Sequence, residues 1–382
     1  MPLQKDLLNK LTQFRRQLHR FPELSGNEST TSKTIIDFIA PTNPSEVVTD
    51  IGGHGVAFIY NGNNAGPTVL LRADMDALPI QESNSFSYKS TVKGVAHLCG
   101  HDGHSAILAG VAHSLGQSPI SKGRLVLLFQ PAEETGQGAA AVIADPKFEH
   151  IKPDYAFALH NLPGLKKGEI FLRNSTFASA STGLVANIKG LSSHAAHPED
   201  GNNPDKALAQ MILGLNYIAR DKEAFNDFAL LTVIHAKLGE VAFGTTPGNA
   251  TLMATLRTYL DSDMSTLKKM VENHISSVCK EHKLKHSVAY VEEFPATINN
   301  EECVDLIKTA ATELGLGNQF LENPFRWSED FGHFTQISKA ALFGVGSGVN
   351  HPQLHNEDYD FPDEIIEPSV SVFLQIVKKL LT

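Results

Sequence analysis

Four short apolar runs constrain this chain more than any other feature: "TVLL" (68–71), "RLVLLFQ" (124–130), "YAFAL" (155–159) and "AALFGV" (340–345). Each is bounded by turn residues and separated from the next by helical patterns. A strand that is apolar at nearly every position must be buried on both faces, which calls for a mostly parallel sheet covered by helices, an α/β fold. "SAILAGVAHSL" (105–115) supplies one such cover, with Ile107, Leu108, Val111 and Leu115 at helical spacing.

Between 177 and 295 the pattern changes to strand ("STGLVANIKG"), helix ("PDKALAQMILGLNYIAR"), two strands ("FALLTVIHAKLG", "NATLMATLRTYL"), helix ("MSTLKKMVENHISSVCKEH") and strand ("HSVAYVEEF"). That β-α-β-β-α-β order is the ferredoxin-like unit. A chain of 382 residues exceeds what one core usually supports. The expectation is therefore a discontinuous α/β domain, 1–176 and 296–382, with a ferredoxin-like domain, 177–295, inserted into it. Neither a tandem repeat nor a low-complexity linker interrupts this order.

Ligands of an open α/β sheet bind beyond the carboxyl ends of its strands, so the residues after each apolar run matter most. Asp74 and Asp76 follow the first run, Glu133 and Glu134 the second, His160 and Asn161 the third, and His351 and His355 the fourth. Between the first two lies "HLCGHDGH" (97–104). Taken singly, each has a bland reading: a lone cysteine is usually a small buried hydrophobe, a histidine a satisfied polar residue, a Glu-Glu pair a solvated surface. Independent surface residues have no reason to collect at one sheet edge, however, and together they point to a metal site.

A structural zinc clip needs four Cys/His ligands in close pairs, and here only Cys99 and His101 are close. A spacing of two places both side chains on one side of an extended segment. Carboxylates, imidazoles and one thiolate drawn from separate strands suit a catalytic site with room for two metals, and the thiolate favours zinc over magnesium. A rival reading pairs Cys99 with His101 or His104 as a thiolate-imidazole nucleophile. It leaves the paired glutamates and the distant histidines without a role.

Lys and Arg number 32 against 42 Asp and Glu, and no basic cluster exceeds short pairs such as Lys166-Lys167, so nucleic acid and anionic membranes are unexpected partners. Three scattered cysteines, Cys99, Cys279 and Cys303, form no disulfide framework. The first 21 residues read as an amphipathic helix, with Leu7, Leu8, Leu11, Phe14 and Leu18 on one stripe, and carry no signal-peptide pattern. No run is long enough to span a bilayer. A cytoplasmic protein is the expectation.

The stretches "RRQLHRFPELSGNE" (15–28), "LRADMDALPI" (71–80), "HLCGHDGH" (97–104), "PAEETGQGA" (131–139), "ALHN" (158–161) and "SSHAAHPEDGNNP" (192–204) resemble, in this order, the signatures of the amidohydrolase branch of the aminoacylase/carboxypeptidase metallohydrolases. The resemblance covers nearly the whole chain. It implies a metallohydrolase catalytic domain with an inserted lid and dimerisation domain, and two divalent ions, zinc or else manganese, nickel or cobalt. Carried over residue by residue, it implies metal ligands at Cys99, His101, Glu134, His160 and His355 and a general base at Glu133. Asp76 takes the place of the aspartate that orients a ligand imidazole, and His104 stands just behind the ligands.

In the lid, His194 matches the histidine that donates to the substrate carbonyl oxygen, often in the partner subunit. Arg257 matches an arginine that holds the substrate carboxylate, and Asn161 a substrate contact. The chain departs from the family pattern at "GTTP" (244–247), where Gly244 replaces an asparagine, and at Asn203 and His197. These departures bear on substrate identity and leave the ligand set intact. The implied reaction is hydrolysis of the amide of an N-acyl amino acid by a homodimer. The alternatives are a dipeptidase or aminopeptidase with the same site, or a non-catalytic protein that binds an acyl-amino acid.

Overall fold

The computed structural model describes residues 3–115 and 120–382. In chain order, α1 (Lys5–Arg20) and α2 (Ser29–Ile39) precede β1 (Glu46–Ile51), β2 (Gly55–Asn61) and β3 (Asn64–Asp74). Next come α3 (His101–Leu115), β4 (Lys122–Gln130), α4 (Gly138–Ala144), β5 (Tyr155–Pro163), β6 (Ile170–Leu172) and β7 (Ser175–Ala178). Then follow β8 (Ala180–Lys189), α5 (Asp205–Ile218), β9 (Ala229–Leu238), β10 (Asn249–Thr258), α6 (Asp261–Glu281) and β11 (Lys285–Phe294). The chain closes with β12 (Thr297–Asn299), α7 (Glu301–Glu313), β13 (Asn318–Phe320), α8 (Gly332–Thr335), β14 (Lys339–Gly348) and α9 (Ile366–Leu381).

These elements form two compact units. The first holds the residues up to Phe177, Thr297–Asn323 and those from Asp330 on; the second holds Ala178–Ala296 and Pro324–Glu329. Among the described residues, the first unit contains an eight-stranded sheet in the order β1-β2-β4-β3-β5-β14-β6-β13. Its centre, β4-β3-β5-β14, is parallel throughout. Antiparallel pairing is confined to the β1-β2 hairpin, its contact with β4, and the short β6 against β14. The fold is thus mixed α/β with a large, mostly parallel sheet.

The apolar runs explain the centre, since β5 is buried from Ala156 to Leu162 and each buried Leu or Phe side chain contributes about 2 kcal/mol. Leu11 and Phe14 of α1, Ile107 and Val111 of α3, Ile307 of α7 and Phe373 and Ile376 of α9 join these strands in one core.

The second unit has a four-stranded sheet in the order β11-β8-β10-β9, antiparallel at every pairing. β10 alternates between buried and half-buried positions, so one face packs on α5 and α6. Segment 324–329 joins this unit because Ser179 N–H donates to Phe325 O and Trp327 O, and Arg257 Nη1 to Arg326 O. Cys279 and Cys303 are free and buried in the two cores. No helix among the described residues is long and apolar enough to cross a membrane.

Candidate metal centre

The strands of the first unit end where the chemistry begins. Asp74 closes β3, and Asp76 follows two residues later; Gln130 closes β4, and the chain then turns through Ala132, at φ +54°, into Glu133 and Glu134. His160 lies within β5, and His355 lies seven residues past β14 at φ +66°. That left-handed backbone is held by a bond from His355 N–H to Leu98 O, 2.8 Å, which ties the fourth strand end to the "HLCGHDGH" segment.

Cys99 and His101 do not sit on an extended segment, contrary to the reading from their spacing. Gly100 adopts φ +98° and α3 begins at His101, so a glycine-mediated turn, rather than strand alternation, brings the two side chains together. A Cβ at Gly100 would also lie 2.5 Å from Asn161 Oδ1. Glycine is required there by backbone conformation and by space. Asp102 and His104 belong to the first turn of α3.

The five expected ligands converge. Ligand atoms of Cys99, His101 and His160 all lie within 4.8 Å of one another, as do those of Cys99, Glu134 and His355, and those of His101, Glu133 and Glu134. Cys99 Sγ is 3.6 Å from His160 Nε2, and His355 Nε2 is 3.8 Å from Glu134 Oε2. His101 Nε2 stands 3.7 Å from Glu134 Oε1 and 3.8 Å from Glu133 Oε2. The three nitrogen–oxygen separations are too long for hydrogen bonds and suit atoms that share a cation. His101 Nε2 and Glu134 Oε1 are in fact buried with no hydrogen-bond partner among the described residues. Since a buried unpaired polar atom is costly, the pair fits an ion between them.

The electrostatics agree. Burial opposes a charge on His101, but Asp74, Asp76 and Glu134 outweigh it and push its pKa up to about 10, so the carboxylates demand a positive charge at this ring. Burial, reinforced by Asp76 and Asp74 against the pull of His101, raises Glu134 to about 7. His160 is pushed down to about 3, by burial first and His104 next, and so stays neutral as a ligand must. Burial and then the carboxylates of Glu134, Glu133 and Asp74 raise the Cys99 thiol well above its usual value. A nucleophilic thiolate needs the opposite, an electropositive setting, so the thiol-nucleophile reading loses its ground.

The groups behind the ligands are interlocked. His101 Nδ1 meets Asp76 O at 3.0 Å and Asp76 Oδ1 at 3.2 Å, which turns Nε2 toward the carboxylates. His104 bonds Asp74 Oδ1 through Nδ1 and Asn161 Oδ1 through Nε2, both at 2.6 Å. Asn161 Nδ2 donates to Tyr359 Oη at 2.5 Å, and the side chain is fully buried. Asn161, expected to contact the substrate, has its Oδ1 on His104 and one Nδ2 hydrogen on Tyr359.

The second unit holds the remaining candidates. His194 is exposed on the segment after β8, where its Nδ1 accepts the Ala196 N–H at 3.1 Å. Gly244 docks beside it through a bond from Ala195 N–H to Gly244 O, 3.0 Å. Arg257, on β10, donates from Nη1 to Arg326 O at 2.9 Å and to Ser328 Oγ at 3.0 Å. Asn203 Oδ1 accepts the Asp205 N–H, and the His197 ring lies 3.6 Å from Glu199.

Some participants carry no strand-end signal. Arg72, inside β3, donates to Asp74 Oδ2 (2.7 Å) and Gln130 Oε1 (2.9 Å) and pairs with Asp330 (2.5 Å). Arg15 and His19 of α1, both fully buried, reach Asp102 at 3.3 and 2.9 Å, and Arg15 continues to Asp360 and Asp363. His97 is buried with both ring nitrogens unpartnered among the described residues, and burial lowers it to about 4. Lone charged residues on otherwise apolar stripes, as Arg15 and His19 are, were the available clue.

Comparison with known proteins places the chain in a family. The sequence pattern of peptidase family M20/M25/M40 matches residues 70–379. Hippurate hydrolase of Campylobacter jejuni is 33% identical, covering 98% of this chain and 98% of that protein. N-acetyl-L-cysteine deacetylase of Bacillus subtilis is 30% identical, covering 98% of this chain and 89% of that protein. A solved Bacillus subtilis structure, YXEP, a dinuclear metal binding peptidase, shares the fold with a TM-score of 0.83 at 24% identity and 99% coverage of each chain.

Proposed function

The chain belongs to peptidase family M20/M25/M40, and we propose that it hydrolyses the amide bond of an N-acyl amino acid, releasing a carboxylic acid and a free amino acid. The observation that carries this reading is the convergence of Cys99, His101, Glu134, His160 and His355 around unpaired buried atoms, with Glu133 at its edge. The relatives named for hippurate and N-acetyl-L-cysteine support the substrate class.

Two divalent ions held by those five residues would polarise the substrate carbonyl and make water acidic near neutral pH; the thiolate favours zinc. Glu133 takes the proton of the attacking water and passes it to the departing nitrogen. Asp76 keeps His101 in the tautomer that presents Nε2. His194 donates to the carbonyl oxygen as charge builds on it, and Arg257 binds the substrate carboxylate.

The second unit is read as a ferredoxin-like lid through which the chain forms a homodimer. β9 is an edge strand, and Ile234 and Leu238 on it, Val241 and Phe243 beyond it, and Leu213 and Tyr217 of α5 are exposed apolar residues. Such an apolar set next to an unpaired edge suits a second copy.

The test is a panel of N-acetyl, N-benzoyl and indole-acetyl amino acids beside simple dipeptides, assayed with zinc- or manganese-loaded protein. Turnover of one acyl class well above the dipeptides is expected. Preference for dipeptides would move the reading to a peptidase, and binding without turnover to an acyl-amino-acid binding protein.

A further inference from the structure

The stretch "RRQLHRFPELSGNE" has no part in the reaction above, yet its last six residues thread between the turns that carry it. Ala77 N–H donates to Glu23 O at 2.9 Å and Leu24 bridges to Ala77, which seats the 23–28 segment beside the end of β3. Ser25 Oγ donates to Asp76 Oδ2 at 2.7 Å, and the same oxygen accepts the Glu134 N–H at 3.0 Å. Glu28 is fully buried, and its Oε1 accepts the Ala132 N–H at 2.8 Å. Ala132 is the residue at φ +54° immediately before Glu133.

The Glu133–Glu134 turn is therefore gripped at both ends. One grip is the Glu28 carboxylate on Ala132; the other is Asp76 on Glu134, itself fixed by Ser25. Alanine occupies the left-handed region unwillingly, so without a bond to its N–H the backbone there would relax to negative φ and swing Glu133. We infer that Glu28 and Ser25 are positioning residues: Glu28 holds the left-handed turn that aims Glu133, and Ser25 steadies the Asp76 carboxylate that holds Glu134. The part played by Glu133 rests on the amide-hydrolysis reading; the grip on the turn does not.

Glu28→Ala, Glu28→Gln and Ser25→Ala separate these statements. In metal-free protein, Glu28→Ala should speed hydrogen exchange of the 131–137 segment roughly tenfold, a local opening that does not spread through the fold. With metal bound it should lower kcat about ten- to a hundredfold, with KM and metal per chain unchanged, because a misaimed base costs rate and not binding. Glu28→Gln keeps the acceptor oxygen and should restore both readouts. Ser25→Ala should give the smaller loss, about three- to tenfold. Unchanged exchange in Glu28→Ala, or a Glu28→Gln variant as impaired as Glu28→Ala, would overturn the inference. If Glu28→Ala does not fold, unchanged exchange at Glu134 in Ser25→Ala overturns it. A wild-type protein inactive on every amide would remove the functional reading while leaving the exchange arm decisive for the grip.

Discussion

Strand β5 of the first unit is buried at every residue from Ala156 to Leu162, whereas β10 of the second alternates buried and half-buried positions along its length. A strand enclosed on both faces presents the polar chemistry it carries out of water. His101, Glu134 and His160 accordingly sit far from their ordinary pKa values, at about 10, 7 and 3. An alternating strand keeps one face apolar and leaves the other for polar side chains. Arg257 stands on that half-buried face of β10, and the edge strand β9 carries the exposed apolar residues. Desolvated chemistry and adaptable contact thus follow from two burial patterns in one chain.

The largest expected effect tests the first pattern. Glu133→Ala should lower kcat about 10³- to 10⁴-fold with metal content unchanged, while Glu134→Ala should lose metal. Metal analysis beside steady-state kinetics reads both, and equal metal loss in the two variants would erase the division between base and ligand. His194→Ala tests whether the second unit contributes chemistry: a fall of about 10²- to 10³-fold in kcat at constant metal content is expected. An unchanged kcat would leave that unit with a packing role alone.

A third prediction concerns the support beneath the ligands. Burial works against a charge on His19, but Asp102 and Glu82 more than offset it and raise its pKa to about 9. With the unfolded value near 6.5, the stabilisation is fully present below about pH 6.5 and is lost as pH rises through about 9, a total of roughly 3 kcal/mol. Urea denaturation of metal-free protein at pH 6.5 and 9.5 should show this fall, and His19→Gln should flatten it. The smallest effect belongs to the exposed edge. Ile234→Lys should weaken self-association by about 1–2 kcal/mol, measured by sedimentation, with the fold and the metal content intact. A protein that stays monomeric before the change would refute the interface.

The same contrast marks what could be read from the residues in order. The apolar runs announced the parallel centre, and Glu133, Glu134, His160 and His355 were legible because each stands at or just past such a run. Cys99 and His101 do lie close together, but Gly100 and the start of α3, not the extended segment their spacing suggested, join them. Adjacency to His160 gave no direction for Asn161, whose amide turns inward to His104 and Tyr359. Arg15, His19, Ser25 and Glu28 drew notice only as parts of a stretch.

What the order of residues determined by itself is the central parallel strands, their burial, and the chemistry delivered to their ends, because these depend on periodicity and on neighbours a few residues away. Which groups meet was decided by the tertiary structure alone. Ser25 and Asp76 are 51 positions apart, Glu28 and Ala132 are 104, and Arg72 and Asp330 are 258. Hydrogen bonds over such separations leave no periodic trace in a chain, since only the packing of one helix and loop against several strand ends brings their partners within 3 Å.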